Sequence, residues 1–275
     1  LAAFGINVTL VDRRTQTLRF LDQEIAQALD TQMQHNGVTM RLGQKSFTVI
    51  VNDTGRPTIQ FQDGQTVTAD MLLYTMGRIG NTESLNLKAI GLTTDPQGQL
   101  SVNTHYQTAI SHIYATGDVI GFPALAATAM EQGRLAACHA FQVSESHDIK
   151  VIPYGIYSIP EVSMVGKTEE ELTTAGVPHA TGRAFFREMA RGHISGDLHG
   201  FLKVIFHSET HRLLGVHIIG PGATELVHIG QSVLTYGGMV EYFVHNVFNY
   251  TTMAECYRTA ALDGLNRLHH HPQPS

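Results

Sequence analysis

Two cysteines in 275 residues, Cys138 and Cys256, are too few and too far apart for a disulfide framework or a cysteine-built metal site. A reducing, cytoplasmic setting accommodates them most simply. Charge is equally scarce: 15% of residues are charged and 43% are hydrophobic, which excludes a solvated, disordered chain. The charged groups lean acidic, with 24 Asp plus Glu against 18 Lys plus Arg. That net −6 argues against a surface built to grip nucleic acid or anionic lipid. No apolar stretch approaches the roughly 18 residues of a membrane-spanning helix, and no charged-then-apolar leader opens the chain. Internal repeats and low-complexity blocks are missing too. What remains has the length of about two globular domains, or one large one.

The chain opens on Leu1-Ala2-Ala3-Phe4-Gly5, which reads as a helix end, with Gly5 free to take the left-handed cap conformation. Asn7 to Asp12 follows as a β-branched run typical of a buried parallel strand. A domain that starts there lacks the strand expected before it, so an N-terminal truncation is expected. Asp22 to Asn36 places Ile25, Leu29 and Met33 on one helix face, stopped by Asn36-Gly37. Strands are expected at Val38 to Leu42, Ser46 to Asn52, Thr58 to Gln62, Ala69 to Met76 and His112 to Ala115, with turns at Asp53-Thr54-Gly55 and Asp63-Gly64. Ala124 to Phe141 reads as an alanine-rich helix. The polar, aperiodic Ser144 to Lys150 marks a domain boundary. Beyond it, Phe201 to Phe206 and Leu213 to Ile219 form a hairpin pattern, and Glu225 to Tyr236 and Met253 to Leu268 read as helices. The order is an α/β region followed by an α+β domain.

Two places carry chemistry. Asp12 stands at the end of the second strand of a mononucleotide-binding half, where an acid can bond adenosine ribose hydroxyls. Arg13 and Arg14 follow directly, and arginine there accommodates a 2′-phosphate. A charged strand end facing water is the plainer alternative. Thr116-Gly117-Asp118 follows an expected strand; glycine lets backbone approach a phosphate or ribityl chain, and the carboxylate can accept from hydroxyls. Taken alone, this segment is equally a simple turn.

Read together, three stretches resemble the two-dinucleotide-binding flavoproteins of the disulfide reductase family. They are Thr75-Met76-Gly77-Arg78 with Asn81-Thr82, Ile113-Tyr114-Ala115-Thr116-Gly117-Asp118-Val119, and the tail from Tyr154; the likeness runs from Phe4 to Leu268 in the family's order. The resemblance implies an α/β fold class with Rossmann-like nucleotide-binding domains, incomplete at the N-terminus, followed by an α+β dimerisation domain. The implied boundaries are 1–84 for an NAD(P)-binding domain without its first strand and glycine-rich loop, and 85–150 for the C-terminal part of an FAD-binding domain. An interface domain would span 151–268, with a disordered tail over 269–275. The resemblance also implies FAD, NAD and NADP as cofactors and substrates, and a homodimer. Asp118 and Gly117 match the residues at the FAD ribityl chain, and Leu125, Ala126 and Ala127 the helix start against the flavin. Met76 and Gly77 match the strand end beside the nicotinamide nucleotide, and Asp12, Arg13 and Arg14 its adenosine end.

Departures from the family pattern narrow the reaction. Disulfide-reducing members carry a histidine five positions before a glutamate; here Glu255 is present but Tyr250 stands in the histidine's place. A phenol with an unperturbed pKa of about 10 is a poor base for thiol exchange at neutral pH. With this departure the resemblance implies hydride exchange between NADPH and NAD through flavin, a reaction that needs no catalytic acid, base or nucleophile from the protein. A dihydrolipoamide or disulfide reductase, or a non-catalytic fragment, are the alternatives. The FAD adenosine and pyrophosphate site, and the glycine-rich NAD loop, are expected on residues before Leu1. No metal site is expected: His207 and His211 flank Glu209 on a hairpin rather than a helix. Arg183, Arg187 and Arg191 are expected on an exposed or dimer-contacting surface, and Cys138 as a small core residue.

Overall fold

The computed structural model describes residues 1–144, 149 and 151–270. They form two compact units, one made of Leu1–Asp70 with Val151–Ser275 and the other of Met71–Lys150. This division follows packing, whereas the boundary expected at residue 84 follows membership of a nucleotide domain. Most of the expected boundary over 144–150 lies outside the described residues.

The first unit opens as expected. A 3₁₀ turn over Ala2–Phe4 is capped by Gly5 in the left-handed conformation, with φ 78°. Strand β1 (Val8–Val11), helix α1 (Gln23–His35) and strand β2 (Val38–Arg41) make a parallel β-α-β crossover, with Val8 opposite Val38. Asp22 caps α1 by accepting from the Glu24 N–H at 3.2 Å. The strands β3 (Phe47–Val51), β4 (Pro57–Phe61) and β5 (Thr66–Thr68) form an antiparallel meander.

Two expected strands are absent. Within Ala69 to Met76 no residue is assigned to a strand among the described residues, and Met71, Leu73 and Tyr74 are exposed. An apolar run supplies strand propensity, but a strand exists only where a neighbour takes up its backbone groups. His112 to Ala115 bonds instead to nearby turns: the Ile113 N–H donates to the Ile110 carbonyl, and the Ala115 N–H to the Tyr106 carbonyl. In this second unit the expected helix does form, as α2 (Ala126–Ala140).

The chain then returns to the first unit with β6 (Tyr154–Ile156), β7 (Val162–Gly166), α3 (Glu169–Thr174), β8 (His179–Phe185), α4 (Ala190–Ser195), β9 (Phe201–His207) and β10 (Leu213–Ile219). Helices α5 (Ala223–Thr235), α6 (Glu241–His245) and α7 (Glu255–His270) follow. The five strands make one antiparallel sheet in the order β6-β7-β10-β9-β8. Period-two alternation divides its faces. Leu202, Val204 and Phe206 with Val216 and Ile218 pack against Val227 of α5 and Cys256, Tyr257 and Ala260 of α7. On the opposite side, Phe201 and Ile219 join Val162 and Met164 against Leu21, Ile25 and Leu29 of α1 and its approach. Both faces are therefore covered, one by α5 and α7 and the other by α1. Gly182 lets β8 and α7 touch, since a Cβ there would lie 1.9 Å from the Ala260 carbonyl oxygen.

Three further expectations need correction. Helix α7 runs on through His270, so His269 and His270 are helical rather than tail; residues 271–275 lie outside the described residues. Arg183 is half-buried and paired with Glu24, because β8 faces the start of α1 rather than open solvent. Cys138 is only half-buried on α2; the core cysteine is Cys256, whose thiol is pushed up to about 12 by burial.

Candidate functional site

Asp12 follows the last residue of β1, and its N–H donates to the Arg41 carbonyl (3.2 Å), so the ladder with β2 carries on to it. Its carboxylate accepts from the Arg14 backbone N–H (2.8 Å) and from the Arg14 Nε (3.0 Å) and Nη2 (2.7 Å). This guanidinium fork holds the Asp12 carboxyl below its ordinary value. Arg13 turns the other way, its guanidinium 5.9 Å from the centre of the Phe47 ring. The segment is fastened from behind: Gly43 N–H donates to the Arg14 carbonyl (2.8 Å) and Gln44 N–H to the Asp12 carbonyl (3.0 Å). The strand end thus presents one carboxylate and two arginines on a fixed backbone.

The remaining expected residues lie in the second unit. Gly117 opens a 3₁₀ turn over Gly117–Ile120 at φ 78°, and its N–H donates to Gln132 Oε1 of α2 at 2.7 Å. A Cβ on Gly117 would meet the Ala129 Cβ at 3.1 Å, so the loop lies directly on the helix. Asp118 is partly exposed and pairs with Arg78 Nη2 at 3.0 Å. Met76 is exposed, and Gly77 takes φ 92° at the start of the loop that carries Arg78. That loop is stitched to a second turn, where Gly80 N–H donates to the Gln97 carbonyl (2.7 Å) and Thr82 Oγ1 to the Gly98 carbonyl (2.9 Å).

Leu125 occupies the cap position of α2 in extended conformation, and Ala126 and Ala127 begin the helix with exposed side chains. Among the described residues no side chain caps this end. The first amides of a 15-residue helix are therefore left for solvent or a bound group, with the positive end of the helix dipole behind them.

Sequence reasoning missed a charged cluster at the start of α1. Lys203, in the middle of β9, is 1% exposed, and its ammonium meets both oxygens of Asp22 at 2.9 Å, Glu169 Oε2 at 2.6 Å and Glu24 Oε2 at 3.2 Å. Arg183 Nε completes it, at 2.6 Å from Glu24 Oε1. Burial works to raise the Asp22 carboxyl, but the charges of His217 and Lys203 and the Lys203 hydrogen bond hold it below its ordinary value. Burial likewise opposes the Lys203 ammonium, and Asp22 and Glu169 outweigh it, leaving the group above its ordinary value. Removing one partner of such a buried pair costs about 3–5 kcal/mol. The available signal was a lone lysine inside the run Phe201 to Phe206, where an edge strand would be expected to point it at water.

The region of Tyr250 is plain by contrast. Tyr250 is 79% exposed, and Glu255, the acid retained from the family pattern, accepts from the Thr252 backbone N–H (3.3 Å) ahead of α7. Its carboxylate is engaged in starting a helix.

Comparison with known proteins decides the family. Residues 1–133 match the model described as pyridine nucleotide-disulphide oxidoreductase, and residues 152–261 match the dimerisation domain of the same family. The chain belongs to the pyridine nucleotide-disulphide oxidoreductase family. It is 50% identical over 268 residues to a soluble pyridine nucleotide transhydrogenase of Pectobacterium atrosepticum, covering 96% of this chain and 57% of that relative. A protein of the same name from Vibrio atlanticus is 47% identical over the same shares of the two chains. The chain thus spans little more than half the length of the curated relatives it matches. Among solved structures it resembles LpdA from Mycobacterium tuberculosis, with a TM-score of 0.85 and 26% identity over 94% of this chain and 57% of that one. The flavoprotein disulfide reductase RclA from Escherichia coli shares the fold, at a TM-score of 0.88 and 23% identity over 94% of this chain and 60% of that one.

Proposed function

We propose that this protein belongs to an FAD-dependent soluble transhydrogenase that passes hydride from NADPH to NAD, working as a homodimer in the cytoplasm. The observation that carries the reading is Tyr250 in the place of the family histidine, with Glu255 committed to the Thr252 amide. Tyr250 puts a phenol where disulfide-reducing members carry an imidazole, and a phenol is a poor base for a thiol proton at neutral pH. Relatives 47% and 50% identical over 268 aligned residues carry the transhydrogenase name, and both free thiols suit a reducing compartment.

Bound FAD would accept hydride from one nicotinamide nucleotide and return it to the other. The residues present fit its ribityl and ring end. Gly117 clears space above Ala129, Asp118 offers a carboxylate for hydroxyl donors, and the uncapped amides at Leu125, Ala126 and Ala127 favour negative charge on the ring system. Arg78 is 83% exposed, so its pair with Asp118 yields readily to a ligand. Met76 and Gly77 would flank the nicotinamide nucleotide. Within the first unit, Asp12 would take the adenosine ribose hydroxyls of NAD, and Arg13 and Arg14 the 2′-phosphate of NADP, so that one strand end accepts both. Orientation and exclusion of water are then the protein's whole contribution.

The test is a steady-state assay of the FAD-loaded protein with NADPH as donor and either thio-NAD or lipoamide as acceptor. Transfer to thio-NAD with lipoamide inert supports the reading; turnover of lipoamide alone would replace it with a disulfide reductase.

A further inference from the structure

We propose that Lys203 is a positioning residue for nucleotide binding: from the dimerisation sheet it fixes the start of α1, and through it the strand end Asp12-Arg13-Arg14. The proposal rests on the reading above, in which that strand end meets the adenosine half of a nicotinamide nucleotide.

The geometry is that of a pinned joint. The Asp22 carboxylate accepts from the Glu24 N–H of α1 (3.2 Å) and from the Glu169 N–H of α3 (3.3 Å), so one side chain begins two helices. Lys203 grips the same carboxylate through both oxygens and reaches Glu24 and Glu169 as well. A second contact, Gln23 N–H to Glu170 Oε1 (3.1 Å), runs in the same direction. The apolar contacts of Leu21, Ile25 and Leu29 with the sheet tolerate small sliding, because hydrophobic burial has no direction. A fork of charged hydrogen bonds does not.

The short connection from Arg14 to Asp22 has little freedom to absorb a displacement. Thr17 hydrogen-bonds to Asp30 of α1, Leu21 N–H donates to the Leu18 carbonyl (2.9 Å), and Leu21 is buried. Moving the start of α1 therefore moves the strand end that carries Asp12. Charge balance makes the joint depend on Lys203: among the described residues, the carboxylates of Asp22, Glu24 and Glu169 face the cations of Lys203 and Arg183, and only Lys203 touches all three.

The test compares the full chain with its Lys203→Gln and Lys203→Arg variants, titrating NADH and NADPH by fluorescence and following backbone hydrogen exchange. For Lys203→Gln, nucleotide affinity should fall about tenfold, equally for the two nucleotides. Exchange should rise over residues 12–35 and stay unchanged in α5, and the circular dichroism should be that of the parent. Lys203→Arg should recover most of the affinity. Asp22→Asn keeps an acceptor for both helices but removes the anion; it should move exchange and affinity in the same direction, and it serves if Lys203→Gln fails to fold. A folded variant with nucleotide affinity within about twofold of the parent and unchanged exchange over 12–35 overturns the proposal. Affinity and exchange are read without hydride transfer, so failure of the functional reading and failure of this one are told apart.

Discussion

The two compact units are held together by different means. In the first, a five-stranded sheet is covered by α5 and α7 on one face and by α1 on the other, and its middle strands are buried along nearly their whole length. In the second, among the described residues, α2 is the only α-helix; loops close by glycine contacts and backbone bonds, and Met71, Leu73 and Ile79 are exposed. Stability in the first comes from apolar area and a buried charge cluster. In the second it comes from close backbone approach, which leaves polar groups such as Asp118 and the α2 amides available. The lesson is that the residues proposed for the flavin lie where packing is thinnest, while Asp12 stands within the packed unit.

The sharpest way to break this contrast is to overfill the packed unit. Gly182→Ala puts a methyl 1.9 Å from the Ala260 carbonyl and 2.6 Å from the Gly264 nitrogen, both backbone, so β8 and α7 must separate. We expect a loss of about 3 kcal/mol in urea unfolding. A loss under 1 kcal/mol, on the order of an exposed substitution, would mean that the strand and helix are not pressed together.

Gly117→Ala probes the thinner unit and should do less to stability but more to function. The strained φ and the Ala129 contact together cost about 1–2 kcal/mol. FAD retention, read by visible absorption after gel filtration, should nevertheless fall sharply, since the added methyl pushes the loop that carries Asp118 off Ala129 of α2. Equal FAD retention by variant and parent would remove Gly117 from that site.

The smallest effect concerns pH. His217 lies on β10 wholly buried, its Nε2 2.9 Å from the Lys167 carbonyl, with Lys203, Asp22 and Glu170 around it; burial, the dominant influence, lowers the imidazole from its ordinary 6.5. The unfolded chain then binds the proton more readily than the folded one, so stability is present above about 6.5 and declines as pH falls from there. Asp22 and Glu24, held below their ordinary values, contribute stability that disappears only at lower pH, below the unfolded carboxylate range near 4. Thermal unfolding of His217→Gln against the parent should show a shallower decline between pH 7 and about 5. Parallel curves would assign the acid sensitivity to other groups.

What the sequence disclosed follows the same division. Helix α1 was legible because its apolar residues keep one period and stop at Asn36-Gly37, and the β9–β10 hairpin because two apolar runs flank a polar turn. Ala69 to Met76 carries the composition of a strand, yet pairing is a property of neighbours and cannot be read from one segment. Asp12 stood out by position at a strand end, and Gly117 by following an expected strand that the structure lacks. Lys203 did not: its partners Asp22, Glu24 and Glu169 are distant in sequence, and only the folded sheet brings them together.

The proposed reaction is hydride exchange through flavin without thiols. Its most direct test is anaerobic mixing of the FAD-loaded protein with NADPH, followed by NAD, while the visible absorption is recorded. The account predicts that NADPH bleaches the flavin band and that NAD alone restores it, with no disulfide present. A band that NADPH cannot bleach, or that returns only when a disulfide is added, would contradict it.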